Sequence, residues 1–296
     1  MPILAQAELA GINPLEYDLI QRAGTIGAIY GTLLLAGIIV WFVLVARWRA
    51  TPPDWRGAFA RLVENPLRGA DLAVLVLVLL TGFIAVIGLR VPWQRMTAGW
   101  SLSEASGLML LQSLLFHGMG LLVVVGILLA RGLTPARAFG ISRSGLSRDL
   151  LRGLVALLAT LPVLLILTLL FHVMLYLLGH QPSLQEVAFV LADEPNRWLR
   201  IYFIVLAVLI APVFEELLFR GFLLPVMARR YGVWSALLLT SFLFALIHGH
   251  LPSFATLFAL SAAMGAAYAL TGSLAVPIAM HALFNSITTA ILLFIR

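Results

Sequence analysis

Two adjacent glutamates interrupt an apolar stretch in the last third of the sequence. Residues 211–221 read APVFEELLFRG and contain Glu215, Glu216 and Arg220. An ionisable side chain inside a long apolar helix costs roughly 2.5–3.5 kcal/mol on insertion scales, so it marks a functional site by default. Glu216 and Arg220 are spaced i,i+4 and share one helix face, so they can neutralise each other. Glu215 lies about 100° further round the helix without a partner, which makes it the candidate for chemistry.

Two later apolar stretches carry histidines with the same four-residue spacing to a second motif residue. Phe244 precedes His248, and His281 precedes Asn285. Residues four apart lie on one face of a helix, so each pair presents both of its side chains to the same neighbour. The three motifs therefore predict one site built from three helices.

The depths of these residues along their helices are consistent with their side chains meeting at one site. Glu215 lies fourteen residues before Arg229, and His248 lies fourteen residues after Trp234. Arg229 and Trp234 are expected at the same membrane face, so both site residues lie ~21 Å from it. By contrast, we interpret His117 as a hydrogen-bonded packing residue, because it stands alone in another apolar run.

The residue types indicate activated water as the chemistry. An apolar environment disfavours the charged form of a carboxylic acid, which suits a general base. A neighbouring histidine can share or orient the proton of a water molecule. A second histidine and an asparagine amide can donate hydrogen bonds to a developing oxyanion. A carboxylate with two histidines also matches a zinc site with an open water position, so a metal-dependent hydrolase is the alternative.

Other hydrolytic signatures are missing from the sequence. It contains neither the H-E-x-x-H motif of zinc proteases nor the G-x-S-x-G nucleophile elbow. It also contains no lysine and no cysteine. Schiff-base chemistry, cysteine nucleophiles, disulfides and thiolate metal sites are therefore excluded. The glutamate and the zinc interpretations both lead to activated water.

The composition identifies the elements that must position these residues. Of 296 residues, 62% are hydrophobic and only 11% are charged, far from the values of a soluble domain. Runs long enough to cross ~30 Å of hydrocarbon recur along the chain. They cover about residues 24–46, 71–90, 107–130, 153–178, 200–224, 233–248, 254–270 and 274–295. We predict an all-α polytopic membrane protein with about eight transmembrane helices, organised as an N-terminal segment (1–23) and a single transmembrane domain (24–296).

Arginines are concentrated in alternate connections between the predicted spans. These connections are the loop after the first span, the loop after the third and the turn after the fifth, with Arg47, Arg49, Arg56, Arg61, Arg68, Arg131, Arg137, Arg143, Arg148, Arg152, Arg229 and Arg230. The positive-inside rule places this end in the cytoplasm. The net charge of +6 then faces anionic lipid rather than nucleic acid. An arginine- and alanine-rich chain without lysine suggests a GC-rich bacterium, and we expect the inner membrane.

The three motifs together resemble the signature of the CPBP intramembrane proteases. This family includes the type II CAAX prenyl endopeptidases and proteins linked to bacteriocin processing and immunity, and the similarity covers about residues 200–290. It implies an intramembrane endopeptidase in which Glu215 and His248 activate water while His281 and Asn285 stabilise the oxyanion. The supporting residues of the motifs are Glu216, Arg220 and Phe244. The resemblance implies a membrane-anchored peptide or protein substrate and no required cofactor, with zinc as the alternative.

A rival function from another class is a non-catalytic membrane scaffold that binds a partner protein. Its signature is the loss of motif residues, and every motif residue is present here. A transporter is expected to show paired broken helices in two related halves, whereas the polar residues here are confined to one end of the chain. The sequence therefore favours the protease.

Overall fold

The structure is a computed structural model that describes residues 13–97, 104–180, 183 and 185–295. Residues 1–12 of the predicted N-terminal segment lie outside the described residues. So do residues 98–103, 181, 182, 184 and 296 of the predicted transmembrane domain. All regular secondary structure in the described ranges is helical, which confirms the all-α fold.

Eleven helices are assigned within the described ranges, together with two short 3-10 turns, Arg143–Gly145 and Leu251–Ser253. The helices are α1 (Pro14–Ala50), α2 (Trp55–Val63), α3 (Gly69–Thr97), α4 (104–130), α5 (Pro135–Phe139), α6 (Leu146–Leu177), α7 (Glu186–Asp193), α8 (Arg197–Tyr231), α9 (Val233–Ile247), α10 (Phe254–Thr271) and α11 (Ala275–Ile295).

Each of the eight predicted spans corresponds to one of these helices. By length and composition, seven helices of the described chain can cross a membrane: α1, α3, α4, α6, α8, α10 and α11. The eighth, α9, is apolar but has only 15 residues, or ~22 Å of helix. The chain is thus a polytopic membrane protein in which α9 is shorter than the hydrocarbon layer.

Helix α1 begins at Pro14, inside the segment that was predicted to precede the first span. Asn13 caps it by accepting a hydrogen bond from the backbone N–H of Leu15. One turn further on, Arg22 pairs with Asp18 at 2.8 Å. Capping and ion pairing extend a helix through polar residues, whereas the apolar run that marked the span begins only at residue 24.

The arginine-rich connections meet at one end of the molecule. Asn65, in the connection between α2 and α3, donates to the Ala138 carbonyl in the connection after α4. Arg229, at the end of α8, donates to the carbonyls of Asn65 and Leu67. Arg131 pairs with Asp71 at 2.5 Å. The structure therefore groups the connections that the sequence predicts to be cytoplasmic.

Helix α8 contains two π-helical stretches that bracket its glutamates. These are Leu206–Ile210 and Leu217–Leu223, and the α-helical turn between them, Ala211–Glu216, begins with Pro212 in its first turn. Proline has no backbone N–H to donate within a helix, and a local change of helical register accommodates that loss. π-Helical stretches are rare and occur frequently at functional sites.

Helices α6, α9, α10 and α11 pack with α8 around a buried apolar cluster. Its members are Leu157, Leu161, Leu164, Phe219, Phe244, Ala245, Leu257, Leu260, Met264, Val276 and Met280. Lipid tails are as apolar as these side chains, so close packing rather than removal from water is their main contribution. The cluster holds three motif-bearing helices, α8, α9 and α11, at fixed distances.

Candidate active site

The carboxylate of Glu215 lies between two imidazoles that come from different helices. Its Oε2 atom is 3.9 Å from Nε2 of His248 and 3.8 Å from Nε2 of His281. Both distances exceed the range of a direct hydrogen bond. Oε2 is buried and has no hydrogen-bond partner. A buried carboxylate oxygen without a partner is costly unless a water or a ligand satisfies it, so the site is built to hold one.

A water molecule fits between Glu215 and His248. Placed about 2.8 Å from both atoms, it would subtend roughly 90°, which is close to the angle between its two O–H bonds. Nδ1 of His248 is 2.6 Å from the Phe244 carbonyl, which can only accept a hydrogen bond. Nδ1 therefore carries a proton, and in the neutral imidazole Nε2 is an acceptor. Both groups then accept the hydrogens of the water, and its lone pairs stay available.

Glu216 is the hub of the buried polar network behind Glu215. Its Oε1 atom accepts from Nη1 of Arg220 at 2.7 Å and from Nδ1 of His281 at 2.9 Å. The Glu216 side chain is 0% exposed, whereas that of Glu215 is 21% exposed. The two adjacent glutamates thus have different surroundings. Glu215 is the one that a water or substrate can reach, and Glu216 holds the ring of His281.

Arg220 is anchored on three sides within the helix bundle. Besides Glu216, it donates through Nη2 to the carbonyl and the hydroxyl of Ser261, at 2.9 and 2.7 Å. Its guanidinium carbon lies 4.8 Å from the centroid of the Phe244 ring, which is within cation–π range. The guanidinium charge is therefore balanced by a carboxylate, by neutral acceptors and by an aromatic face.

Phe244 packs beneath both imidazoles. Its ring centroid is 4.7 Å from that of His248 and 5.7 Å from that of His281, and the side chain is fully buried. Aromatic contacts at these separations restrict ring rotation and fill the space under the site. The i,i+4 spacing predicted that Phe244 lies beneath His248. In the structure Phe244 also contacts His281 and Arg220.

Asn285 makes its hydrogen bond to the backbone of α8. Its Nδ2 donates to the carbonyl of Ala207 at 2.8 Å, in the first π-helical stretch of α8. This bond uses one of the two N–H groups of the amide and leaves the other for a ligand. The structure thus brings Glu215, His248 and His281 together directly and fixes Asn285 one turn beyond His281.

The turn after α9 separates His248 from His250. The helix ends at Ile247, within one residue of the predicted span 233–248, and His248 is its C-terminal cap. Gly249 has φ +60°, a conformation that side-chain-bearing residues rarely adopt. His250 interacts instead with the hydroxyls of Ser253 and Ser183, at 2.8 and 3.2 Å. Partial burial lowers the pKa of His250, which favours its neutral form.

The same three side chains would be the ligands if zinc were bound. Neighbouring ligands of a tetrahedral zinc ion with bonds of 2.0–2.1 Å are ~3.3 Å apart. The separations of 3.8 and 3.9 Å around Glu215 are longer. Across the described ranges, no group of three or more His, Asp or Glu side chains has the arrangement of a metal site.

These features define the class: an all-helical, polytopic membrane protein with a carboxylate–histidine site among its C-terminal helices. Residues 196–287, which contain all the motif residues, match the model of the family described as type II CAAX prenyl endopeptidase Rce1-like. The match confirms the resemblance to the CPBP proteases over that region and supports a protease; the bacteriocin-related subgroup stays a prediction. No curated protein and no solved structure gives a significant match to the sequence.

Two contributors to the site were not predicted from the sequence. Ser261 anchors Arg220 from α10, and the Ala207 carbonyl holds Asn285. A single serine in an apolar helix carries no signal, because its hydroxyl usually bonds within its own helix. A backbone carbonyl carries no residue-specific signal at all.

Proposed function

We propose that the chain is an intramembrane endopeptidase that hydrolyses a peptide bond with water activated by Glu215 and His248. The observation that supports this most directly is the unpartnered Oε2 atom of Glu215, 3.9 Å from the acceptor nitrogen of His248. Both side chains are about one-fifth exposed, in contrast to the fully buried Glu216. Glu215 is the general base, and His248 orients the water.

In the first step the water oxygen attacks the carbonyl carbon of the scissile bond. A new C–O bond forms, and the proton leaving the water passes to the Glu215 carboxylate. In the second step the C–N bond breaks, and protonated Glu215 gives the same proton to the departing amine. The products are a carboxylic acid and an amine, and Glu215 returns to its ionised form.

The oxyanion that forms between these steps needs hydrogen-bond donors. Nδ1 of His281 already gives its proton to Glu216, so donation from Nε2 requires the doubly protonated imidazolium. Glu215 and Glu216 lie on either side of that ring and balance its charge. The free N–H of the Asn285 amide is the second donor.

The substrate is a peptide or protein segment associated with the membrane. The site lies within helices that can span the bilayer, and the outer faces of these helices are apolar. A substrate held in or at the lipid reaches such a site without crossing bulk water. The family description names prenylated CAAX sequences, in which a lipidated cysteine lies near the C-terminus, so a farnesylated peptide of that type is the first substrate to test. The membrane proposed is the bacterial inner membrane.

A complementation experiment distinguishes a protease from a non-catalytic membrane scaffold. A strain lacking the gene is supplied with the wild-type chain, Glu215→Gln or the matched variant Glu64→Gln, which changes a glutamate in the connection between α2 and α3. The protease predicts that Glu215→Gln fails to complement and that an uncleaved membrane precursor accumulates, while Glu64→Gln behaves as wild type. Full complementation by Glu215→Gln without any precursor would overturn the proposal, because a scaffold does not need the base.

A further inference from the structure

His117 departs from the packing role that the sequence predicts for it. It lies in a π-helical turn of α4, Leu114–Gly118, and its Nδ1 atom is buried without a hydrogen-bond partner. Helical histidines elsewhere in the bundle behave differently. Nδ1 of His172 lies 2.8 Å from the Thr168 carbonyl, and Nδ1 of His248 lies 2.6 Å from the Phe244 carbonyl. The Ser113 backbone, one turn before His117, interacts with the ring, but in this π-helical turn Nδ1 does not reach the geometry of a full hydrogen bond.

The packing of α4 on α8 directs His117 toward the candidate active site. The His117 ring meets the ring of Phe214 edge-on, with centroids 5.4 Å apart. Phe214 immediately precedes Glu215. Three residues after His117, a Cβ atom added to Gly120 would lie 2.3 Å from the Phe214 ring, so only glycine permits this approach of the two helices. His117 is therefore set against the turn of α8 that carries the catalytic glutamate.

Glu215 follows Phe214 directly, so it is the ionisable residue of α8 nearest in sequence to the His117 contact. Each partner has a buried atom without a hydrogen bond, Nδ1 of His117 and Oε2 of Glu215. Two buried polar atoms left unsatisfied in one region are costly, and a bridging water would satisfy both. The other charged or titratable groups around Glu215 belong to the network described above: Glu216, Arg220, His248 and His281.

We propose that His117 is a positioning residue that orients the Glu215 carboxylate from α4 through one water. The inference rests on the proposed function, because it assigns a neighbour to the general base of that site. An N–H donated to a carboxylate holds both its direction and its ionised form. His117 would thereby add α4 to a site whose motifs lie on α8, α9 and α11.

Kinetics of designed variants test the role. His117→Phe keeps a ring against Phe214 and removes the N–H, while His117→Asn returns an N–H near the place of Nδ1. The matched control is His172→Phe, which removes an exposed histidine of α6 outside the site. The probe is a quenched fluorescent, farnesylated CAAX peptide in liposomes.

We expect His117→Phe to lower kcat by ~10–100-fold with KM nearly unchanged, because misorienting a catalytic group costs up to ~100-fold. His117→Asn should recover most of kcat, and His172→Phe should match wild type. Wild-type kcat in His117→Phe, or a loss that His117→Asn does not repair, would overturn the proposal. If instead Glu215→Gln cleaves at the wild-type rate, the proposed function itself has failed.

A spectroscopic measurement tests the contact independently of activity. Protein with ¹⁵N-labelled histidine is compared with Glu215→Gln and with the control Glu64→Gln, and the His117 signals are assigned by their loss in His117→Phe. We expect Glu215→Gln to shift the ring nitrogen signals of His117, and Glu64→Gln to leave them in place. Unchanged His117 signals in Glu215→Gln would contradict the proposal even if the protein cleaved no peptide.

Discussion

Nδ1 of His281 lies 2.9 Å from Oε1 of Glu216, so the second glutamate of the pair holds one of the site's two histidines. The same oxygen accepts from Arg220, which makes a continuous chain from Ser261 through Arg220 and Glu216 to His281. The two adjacent glutamates thus have different contacts: Glu215 lies beside the imidazoles of His248 and His281, whereas Glu216 holds the His281 ring through Nδ1.

Replacing Arg220 with alanine should harm both folding and cleavage. The guanidinium is 2% exposed, and its removal leaves the Glu216 carboxylate buried without a counter-charge. Breaking a buried ion pair in this way costs ~3–5 kcal/mol. A thermal-unfolding measurement in detergent should show a large fall in melting temperature, with Arg230→Ala, which changes an exposed arginine near the end of α8, as the comparison. An Arg220→Ala protein with wild-type stability and full activity would refute the role assigned to this pair.

The two oxyanion residues should differ in their effect on the rate. Asn285→Ala removes one donor and should lower kcat by ~10²–10³, the usual effect of losing one oxyanion-hole group. His281→Ala should lower it further, because it also leaves Glu216 with one fewer hydrogen-bond donor. Single-turnover cleavage in liposomes measures both. Equal rates for Asn285→Ala and wild type would remove Asn285 from the mechanism.

Chelation distinguishes the glutamate mechanism from the zinc alternative. The separations around Glu215 fit a water better than a tetrahedral metal ion, so purified protein should keep its cleavage rate after exhaustive chelation. A zinc enzyme would lose activity and regain it when metal is added back. Elemental analysis is the companion measurement, and stoichiometric zinc in active protein would favour the metal mechanism.

The orientation of the chain in the membrane can be tested by labelling single introduced cysteines. The sequence itself has no cysteine, so there is no background labelling. Ser144 lies at the arginine-rich end, and His180 lies at the other end of α6; both are exposed. The positive-inside rule predicts that a membrane-impermeant maleimide labels His180→Cys, but not Ser144→Cys, in right-side-out vesicles. Both should react after the vesicles are opened. Labelling of Ser144→Cys in sealed vesicles would reverse the orientation.

The sequence predicted the helices well and the long-range contacts poorly. Apolar runs reveal where a chain can lie in lipid, so each predicted span corresponds to a helix, and seven of these helices are long enough to cross a membrane. The runs do not reveal polar extensions such as the first turns of α1, from Pro14. The i,i+4 spacing predicted the pairing of Arg220 with Glu216, because both partners belong to one helix. The bond between Glu216 and His281 joins residues 65 apart, and no local pattern reports it.

The most direct test of the central claim is the cleavage rate of Glu215→Gln in liposomes, alone and combined with His248→Ala. The amide keeps the size of the side chain and removes the base, so we expect a loss of at least ~10²-fold with wild-type folding. Residues that act as a unit are not additive, so the double variant should be no slower than the slower single variant. Cleavage by Glu215→Gln at the wild-type rate would contradict a mechanism in which Glu215 activates the water.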